Sequence, residues 1–252
     1  MKIPALIEIE NRLRDEDPDQ WLDLWRAEQG PAKPGALRLI AAAIPFANEQ
    51  PVKVLDVGCG PGEAGRMICS RFPHAVVDFV DRNEFFAALC GAVNRRDGIE
   101  GRTFVRDLTE PEWQRGLGTE YDVAVAVNSI HWLTQRDAVE LLREISQLLR
   151  PGGVCLVMEP ARSEPVFEPW LRTWREEQPS QHSYADWRRF WSRVRDLVGY
   201  DYGFLGEPVD QGHIGDAFSV KQWIGLLTDA GFASIDILLR DIEKVVLVGM
   251  KP

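Results

Sequence analysis

The chain has 252 residues, which suits one domain with a single core, and its 45% hydrophobic and 27% charged residues are those of an ordinary soluble globule. A formal net charge of −10 repels phosphate backbones and speaks against a nucleic-acid partner. The acidic start, the lack of long apolar runs and the scattered cysteines predict no signal peptide, no membrane span and no metal site, and hence a cytoplasmic protein with reduced thiols.

Predicted helices and strands alternate as far as Pro160. The N-terminal stretch has helical spacing and should lie outside a sheet. Asn83 should cap one of the helices that follow, and Pro151 with the two glycines after it should end another. Because short links between alternating strands and helices imply parallel pairing, the fold class is a doubly wound α/β sheet. We predict strands at 52–57, 75–80, 102–106, 122–127 and 154–158, and helices at 63–71, 83–93 and 137–149.

The alternation stops after Pro160. Residues 161–216 are rich in aromatic and charged side chains, which predict two or more helices in place of a short link. Ser219 should cap a further helix that ends at Gly231. The chain should close with two antiparallel strands joined by a tight turn near Asp241, at 234–239 and 244–250.

This order of elements indicates one domain over residues 1–252. We expect its core at 35–160 and 217–252, since these ranges contain the strands. A helical substrate cover would then come from 1–34 and 161–216.

Three glycines are crowded between the first predicted strand and the first predicted helix, in VLDVGCGPGEAG at 54–65. Ligands of open α/β sheets bind at the carboxyl ends of the strands. Gly58, Gly60 and Gly62 would let the backbone turn sharply and let a ligand contact it directly. The start of the next helix also presents free N–H groups, which favour a carboxylate or a phosphate. This stretch is therefore the predicted ligand loop.

Five motifs occur in order along the chain. They are the G-x-G-x-G loop preceded by Asp56, VDFVD ending in Asp81, FVRD ending in Asp107, YDVAVAVNSIHW, and LLRPGG before a strand. Together they resemble the class I S-adenosylmethionine-dependent methyltransferases. The resemblance implies a Rossmann-like methyltransferase fold: a mostly parallel seven-stranded sheet with an antiparallel last strand and a helical lid.

The resemblance also implies S-adenosylmethionine as cofactor and S-adenosylhomocysteine as product. Asp81 would accept hydrogen bonds from both ribose hydroxyls, for which an acceptor-only carboxylate is suited. Asp107 would lie beside the adenine amino group, or serve only as a turn former at the end of its strand. Asp56 would orient the glycine loop or reach the cofactor's ammonium through water. The implied cofactor-binding set is Asp56, Gly58, Cys59, Gly60, Gly62, Asp81, Arg82, Asp107, Leu108 and Asn128.

NSIHWL, after the fourth strand, is similar to the corresponding stretch of small-molecule carboxyl methyltransferases such as the salicylate, juvenile-hormone-acid and trans-aconitate enzymes. His131 would be the catalytic base or an orienting donor; the alternative is a structural histidine. Trp132 would donate its indole N–H to a substrate carboxylate; the alternative is core packing. The other predicted substrate-binding residues are Trp21, Trp25, Glu159 and Tyr184.

These observations lead to one hypothesis with two alternatives. The enzyme would transfer a methyl group to an oxygen, carboxylate or hydroxyl, of a small apolar or aromatic metabolite. The first alternative is a nitrogen or carbon acceptor. The second is a cofactor-binding protein that transfers no methyl, with a cyclase-like or regulatory role. The expected partner is a small molecule, neither nucleic acid nor membrane, with a homodimer as the alternative to a monomer.

Overall fold

The computed structural model describes residues 5–29, 33–177, 184–204, 218–241 and 244–252. Its helices are α1 (Leu6–Leu13), α2 (Pro18–Gln29), α3 (Lys33–Ala42), α4 (Glu63–Arg71), α5 (Glu84–Asp97), α6 (Gln135–Leu148), α7 (Glu168–Glu177), α8 (Tyr184–Val198) and α9 (Val220–Asp229). Its strands are β1 (Lys53–Val57), β2 (Val76–Asp81), β3 (Gly101–Val105), β4 (Tyr121–Val127), β5 (Leu149–Pro160), β6 (Ala233–Arg240) and β7 (Lys244–Met250).

The strands form a seven-stranded sheet in the order β3-β2-β1-β4-β5-β7-β6. The first five strands along the chain pair in parallel, whereas β7 runs antiparallel to both β5 and β6. Apolar residues of β1 and β4 are buried because helices cover both faces of the sheet. The predicted fold class is therefore confirmed, including the reversed last strand.

Side-chain caps fix the starts of several helices. The Asn83 side chain accepts hydrogen bonds from the backbone N–H groups of Phe85 and Phe86, at 3.0 and 3.1 Å. Ser219 and Gln222 form a reciprocal capping box at the start of α9. Both caps are where the sequence predicted them.

The predicted boundary between α6 and β5 is wrong. The helix expected over 137–149 begins at Gln135, after the Thr134 cap, and ends at Leu148. Leu149 already belongs to β5 and pairs with Tyr121 of β4. The Pro-Gly-Gly stretch thus lies inside the strand instead of ending the helix, because strand pairing begins before the proline.

Within the part of the chain that the structure describes, buried side chains form three clusters. Two lie on the two faces of the sheet, one under α6 and α9 and the other under α3 and α4. The third, which we call the cover cluster, joins α1, α2, α5 and α8. Since α5 starts at the carboxyl end of β2, the cover cluster lies beside the edge of the sheet where ligands bind in this class of fold. The cover cluster contains Ile9, Leu13, Trp21, Leu22, Trp25, Phe85, Phe86, Ala88, Leu89, Val93, Phe190, Trp191, Val194 and Val198.

The predicted division into a core and a helical cover remains a prediction. Residues 1–4, 30–32, 178–183 and 205–216 of the expected cover lie outside the described residues. Among the helices that the structure describes, none has the length and apolarity to cross a membrane.

Candidate functional site

A cavity of about 430 Å³ opens at the carboxyl ends of β1, β2 and β4. The crevice beyond these strand ends is the usual ligand site of a doubly wound sheet. One side of the cavity is formed by the glycine loop and by residues that follow β2 and β3, and the other by residues that follow β4 and β5 and by aromatic side chains. The cavity thus brings together residues that are far apart in the sequence.

The glycine loop has a left-handed backbone at Gly58 and Gly60, with φ of 64° and 54°. A Cβ added at Gly58 would lie 2.3 Å from the Cβ of Ser129, so no side chain fits there. A Cβ added at Gly60 would meet nothing within 4 Å, and Gly60 lines the cavity. The loop therefore leaves open space at Gly60 in which a ligand can approach the backbone.

Asp81 ties the end of β2 to this loop. One carboxylate oxygen accepts a hydrogen bond from the Gly60 N–H at 2.7 Å, and the other accepts one from the Asn83 N–H at 2.8 Å. Burial raises the pKa of Asp81 above its ordinary value of 3.8, and the hydrogen bonds from Asn83 and Gly60 oppose that shift. The carboxylate lines the cavity, where hydroxyl donors of a ligand would stabilise its ionised form.

Asp56 is almost fully buried and accepts a hydrogen bond from the Gly65 N–H at 2.9 Å. It holds the start of α4 against the end of β1, which agrees with the loop-orienting role considered above. Asp107 accepts hydrogen bonds from the N–H and the hydroxyl of Thr109, at 2.9 and 2.7 Å, so it does form a turn. It also lines the cavity, together with its neighbour Leu108 and with Arg82.

The segment after β4 is held in an unusual backbone conformation. Asn128 has a φ of 51°, and its N–H donates to the carbonyl of Met158 in β5 at 2.8 Å. The Ser129 hydroxyl donates to the carbonyl of Val57 at 2.9 Å. A short 3-10 turn, Ile130–Trp132, follows and carries His131 and Trp132 to the cavity wall.

Glu159 lies beneath this turn and is fully buried. One carboxylate oxygen accepts hydrogen bonds from the N–H groups of Ser129 and Ile130, at 2.8 and 2.7 Å. The other lies 2.6 Å from Nδ1 of His131. Because a carboxylate only accepts hydrogen bonds, the tautomer of neutral His131 that fits this contact has its proton on Nδ1 and an acceptor lone pair on Nε2. His131 and Glu159 form a dyad of the kind in which a carboxylate orients a histidine base.

An aromatic wall encloses the remaining side of the cavity. The Trp25 and Phe86 rings lie 4.9 Å apart, and Phe204 lies 4.3 Å from Trp191 and 6.4 Å from Trp132. The wall offers apolar surface for a planar or aliphatic molecule. It consists of Trp25, Phe86, Trp132, Trp187, Trp191 and Phe204.

Residues 54–153 match the model of a family described as a methyltransferase domain. Over these residues the chain carries a methyltransferase domain. It is 30% identical over 153 residues to a trans-aconitate 2-methyltransferase of Deinococcus radiodurans, a match that covers 59% of this chain and 50% of that relative. The chain thus spans about half the length of this curated relative.

Solved structures show the same fold. The S-adenosylmethionine-dependent methyltransferase SibL superposes with a TM-score of 0.59 at 13% identity, over 98% of this chain and 73% of that one. The CurJ carbon methyltransferase also reaches a TM-score of 0.59, at 19% identity, over 97% of this chain and 66% of that one. The family resemblance of the sequence is confirmed by the family match and by these neighbours.

Most of the predicted site residues line the cavity, and three of those that the structure describes do not. Trp21 is fully buried in the cover cluster, where its ring lies 4.9 Å from that of Phe85, and it does not line the described cavity. Gly62 forms the left-handed start of α4 and faces Cys90. Glu159 reaches the cavity only through His131. The Tyr184 side chain lies outside the described residues.

The amino-acid pattern did not reveal two residues that line the cavity, nor the contact between His131 and Glu159. Lys244, the first residue of β7, lines the cavity, as does Pro160 at the end of β5. The topology was a usable signal for both residues, because two antiparallel neighbours bring the end of one strand beside the start of the other. The dyad was missed because nothing in the sequence pairs His131 with a carboxylate that is 28 positions away.

Proposed function

We propose that this protein transfers a methyl group from S-adenosylmethionine to a hydroxyl oxygen of a small apolar or aromatic molecule. The observation that carries the proposal is the buried His131–Glu159 dyad, which faces a cavity that also contains the glycine loop. A histidine base beside a donor pocket supports group transfer to an acceptor that must first lose a proton.

The residues around the glycine loop fit S-adenosylmethionine. The open space at Gly60 allows a ligand to approach the backbone, and Asp81 offers a carboxylate that can accept from ribose hydroxyls. Asp107 and Leu108 lie where they could contact an adenine ring. When bound, S-adenosylmethionine supplies an electrophilic methyl group on its sulfonium. The chain's own part is to hold this donor and exclude water from it.

The dyad is the reason to prefer a hydroxyl to a carboxylate as acceptor. An ionised carboxylate is already a nucleophile and needs no base, whereas a hydroxyl must lose its proton during the transfer. Nε2 of His131 would accept that proton, and Glu159 would stabilise the imidazolium that results. The aromatic wall would hold the body of the acceptor against the dyad.

A carbon acceptor is the second candidate, and the same dyad favours it. A carbon flanked by two carbonyl groups carries an acidic proton, and its removal leaves a nucleophile at carbon. The His131–Glu159 pair suits that proton as well as a hydroxyl proton. The acceptor must therefore be found by experiment.

Incubation with methyl-labelled S-adenosylmethionine and matched acceptors tests the proposal. The panel contains phenols, their carboxylic-acid counterparts and 1,3-dicarbonyl compounds of similar size, with the products identified by mass. Labelled ethers from the phenols are expected. Labelled carbon products would establish the second candidate, and labelled esters alone would contradict a role for the base. Cofactor binding without any labelled product would favour a protein that only binds the cofactor.

Affinity for S-adenosylhomocysteine should fall as the solution becomes acidic. Burial places the pKa of Asp81 above 3.8 in the free protein. Hydroxyl donors of the ligand stabilise the carboxylate, so binding lowers this pKa, and affinity is lost as pH falls through the raised value of the free protein. Calorimetry between about pH 7.5 and about pH 4.5 should show up to a roughly tenfold loss per pH unit at the acidic end.

The variant Asp81→Asn is the control for this pH dependence, because three other carboxyl groups, those of Asp56, Glu63 and Asp107, also line the cavity. The variant should bind more weakly at neutral pH, and its affinity should change little with pH. A wild-type affinity that stays constant on acidification would exclude the proposed contact between Asp81 and the cofactor.

A further inference from the structure

The charged residues of the cavity are unevenly distributed. The carboxylates of Asp56, Glu63, Asp81 and Asp107, and with them the guanidinium of Arg82, line the side formed by the glycine loop and by the ends of β2 and β3. Lys244 lines the side formed by the end of β5 and the start of β7. The first side suits a ligand with hydroxyls and positive charge, and the second side suits a ligand with negative charge.

Strand pairing fixes Lys244 near the dyad. Lys244 pairs with Pro160, which also lines the cavity and directly follows Glu159 in β5. The backbone N–H of Lys244 donates to the Asp241 carboxylate at 2.6 Å, which anchors the start of the strand. The side chain therefore starts from a fixed point of the sheet, one residue along β5 from the group that orients His131.

The Lys244 ammonium has no carboxylate within ion-pair distance among the described residues, although the side chain is half-buried. The other described lysine side chains do have polar partners: Lys221 pairs with Glu164, and Lys53 and Lys251 donate to the carbonyls of Thr119 and Leu149. A partly buried cation that lines a cavity gains most from an anionic ligand.

We propose that Lys244 binds a carboxylate of the acceptor molecule, at a position separate from the atom that is methylated. The acceptor class is then a small amphipathic acid, with an apolar or aromatic body against the aromatic wall and an anionic group at Lys244. This specificity role rests on the proposed methyl transfer and names the substrate class for it. Lys244 would bind the acceptor, and His131 would accept its proton.

Pairs of acceptors that differ only in charge test this role. Hydroxylated aryl carboxylic acids are compared with their primary amides in the wild type and in Lys244→Met, which removes the charge and keeps the length. The variant should raise KM for the acids by about 10- to 100-fold with little change in kcat, and should leave the amides almost unaffected. Lys244→Arg should recover much of the loss. Lys221→Met, on the exposed lysine paired with Glu164, is the matched control and should behave as wild type.

A binding measurement separates this proposal from the proposed function. Calorimetric titration of the same acids and amides is carried out with S-adenosylhomocysteine present, and it needs no turnover. Acids that bind in a Lys244-dependent way without forming labelled product would support the anchor and overturn the methyl transfer. Labelled product with equal use of acids and amides would overturn the anchor and leave the methyl transfer standing. Equal losses for acids and amides in Lys244→Met, or no binding by any acid, would also overturn the anchor.

Discussion

Replacement of His131 by glutamine is expected to lower kcat by about 100- to 10,000-fold on acceptors that must lose a proton. The imidazole is the cavity's candidate base, and Glu159 holds its Nδ1 so that Nε2 can accept the proton. Glutamine keeps the approximate size of the side chain and offers no comparable base. Affinity for S-adenosylhomocysteine should stay close to that of the wild type, since the glycine loop and Asp81 are untouched.

The variant Glu159→Gln should lose nearly as much of the wild-type kcat on these acceptors, although Glu159 does not line the cavity. An amide can still accept from the N–H groups of Ser129 and Ile130, so the turn should keep its shape. Its NH₂ group would then face Nδ1 of His131 and favour the tautomer whose Nε2 carries the proton, which removes the base. The exposed carboxylate Glu164, which pairs with Lys221, provides the matched control Glu164→Gln.

Single-turnover rates with bound S-adenosylmethionine measure this effect on the transfer step itself. The transfer rate should fall far less in either variant with acceptors that are already ionised than with hydroxyl acceptors. Unchanged rates in both variants on a hydroxyl acceptor would remove the dyad from the mechanism. Equal losses on both kinds of acceptor would indicate that the dyad only supports the turn.

Replacement of Gly60 by leucine should weaken S-adenosylhomocysteine binding by about 100-fold or more. The new side chain would start in the open space beside the cavity, where we propose that the cofactor meets the loop. The fold should survive, because an added Cβ there meets no neighbour within 4 Å. Calorimetry of cofactor binding and thermal unfolding of the same sample separate the two effects.

The chain contains a closely matched control for this variant. Gly98, at the end of α5, has a φ of 67° against 54° for Gly60, and an added Cβ there also meets nothing within 4 Å. Gly98→Leu should therefore carry a similar backbone penalty of about 1–2 kcal/mol, with cofactor affinity intact. If the two variants lost affinity equally, backbone strain would explain the loss and the cofactor would not lie against Gly60.

The sheet could be predicted from the sequence because its signals are local. Continuous apolar runs marked the buried strands, and Asn83 and Ser219 marked helix starts by their capping chemistry. The positions of Gly60 and Asp81 beside one cavity followed from topology, since parallel strands end at one edge. The boundary between α6 and β5 was misplaced because a helix-stopping signal at Pro151 came after strand pairing had already begun.

The rest of the site depends on contacts that no local pattern encodes. Trp21 and Trp25 lie one helical turn apart on α2 and both pack into the cover cluster, yet of the two it is Trp25 that also lines the cavity. Their difference is set by α5 and α8, which pack against α2. The role of Glu159 likewise depends on the 3-10 turn that brings Ser129, Ile130 and His131 around its carboxylate.

Ser129 lies between the glycine loop and the turn that carries His131. Its side chain fills the space beside Gly58 and bonds the Val57 carbonyl, while its N–H bonds Glu159. A change of side chain at Ser129 would therefore disturb both the glycine loop and the turn that carries His131. New acceptor preferences can arise with least disturbance at positions that line the cavity and take no part in the Ser129 contacts, such as Phe204 and Lys244.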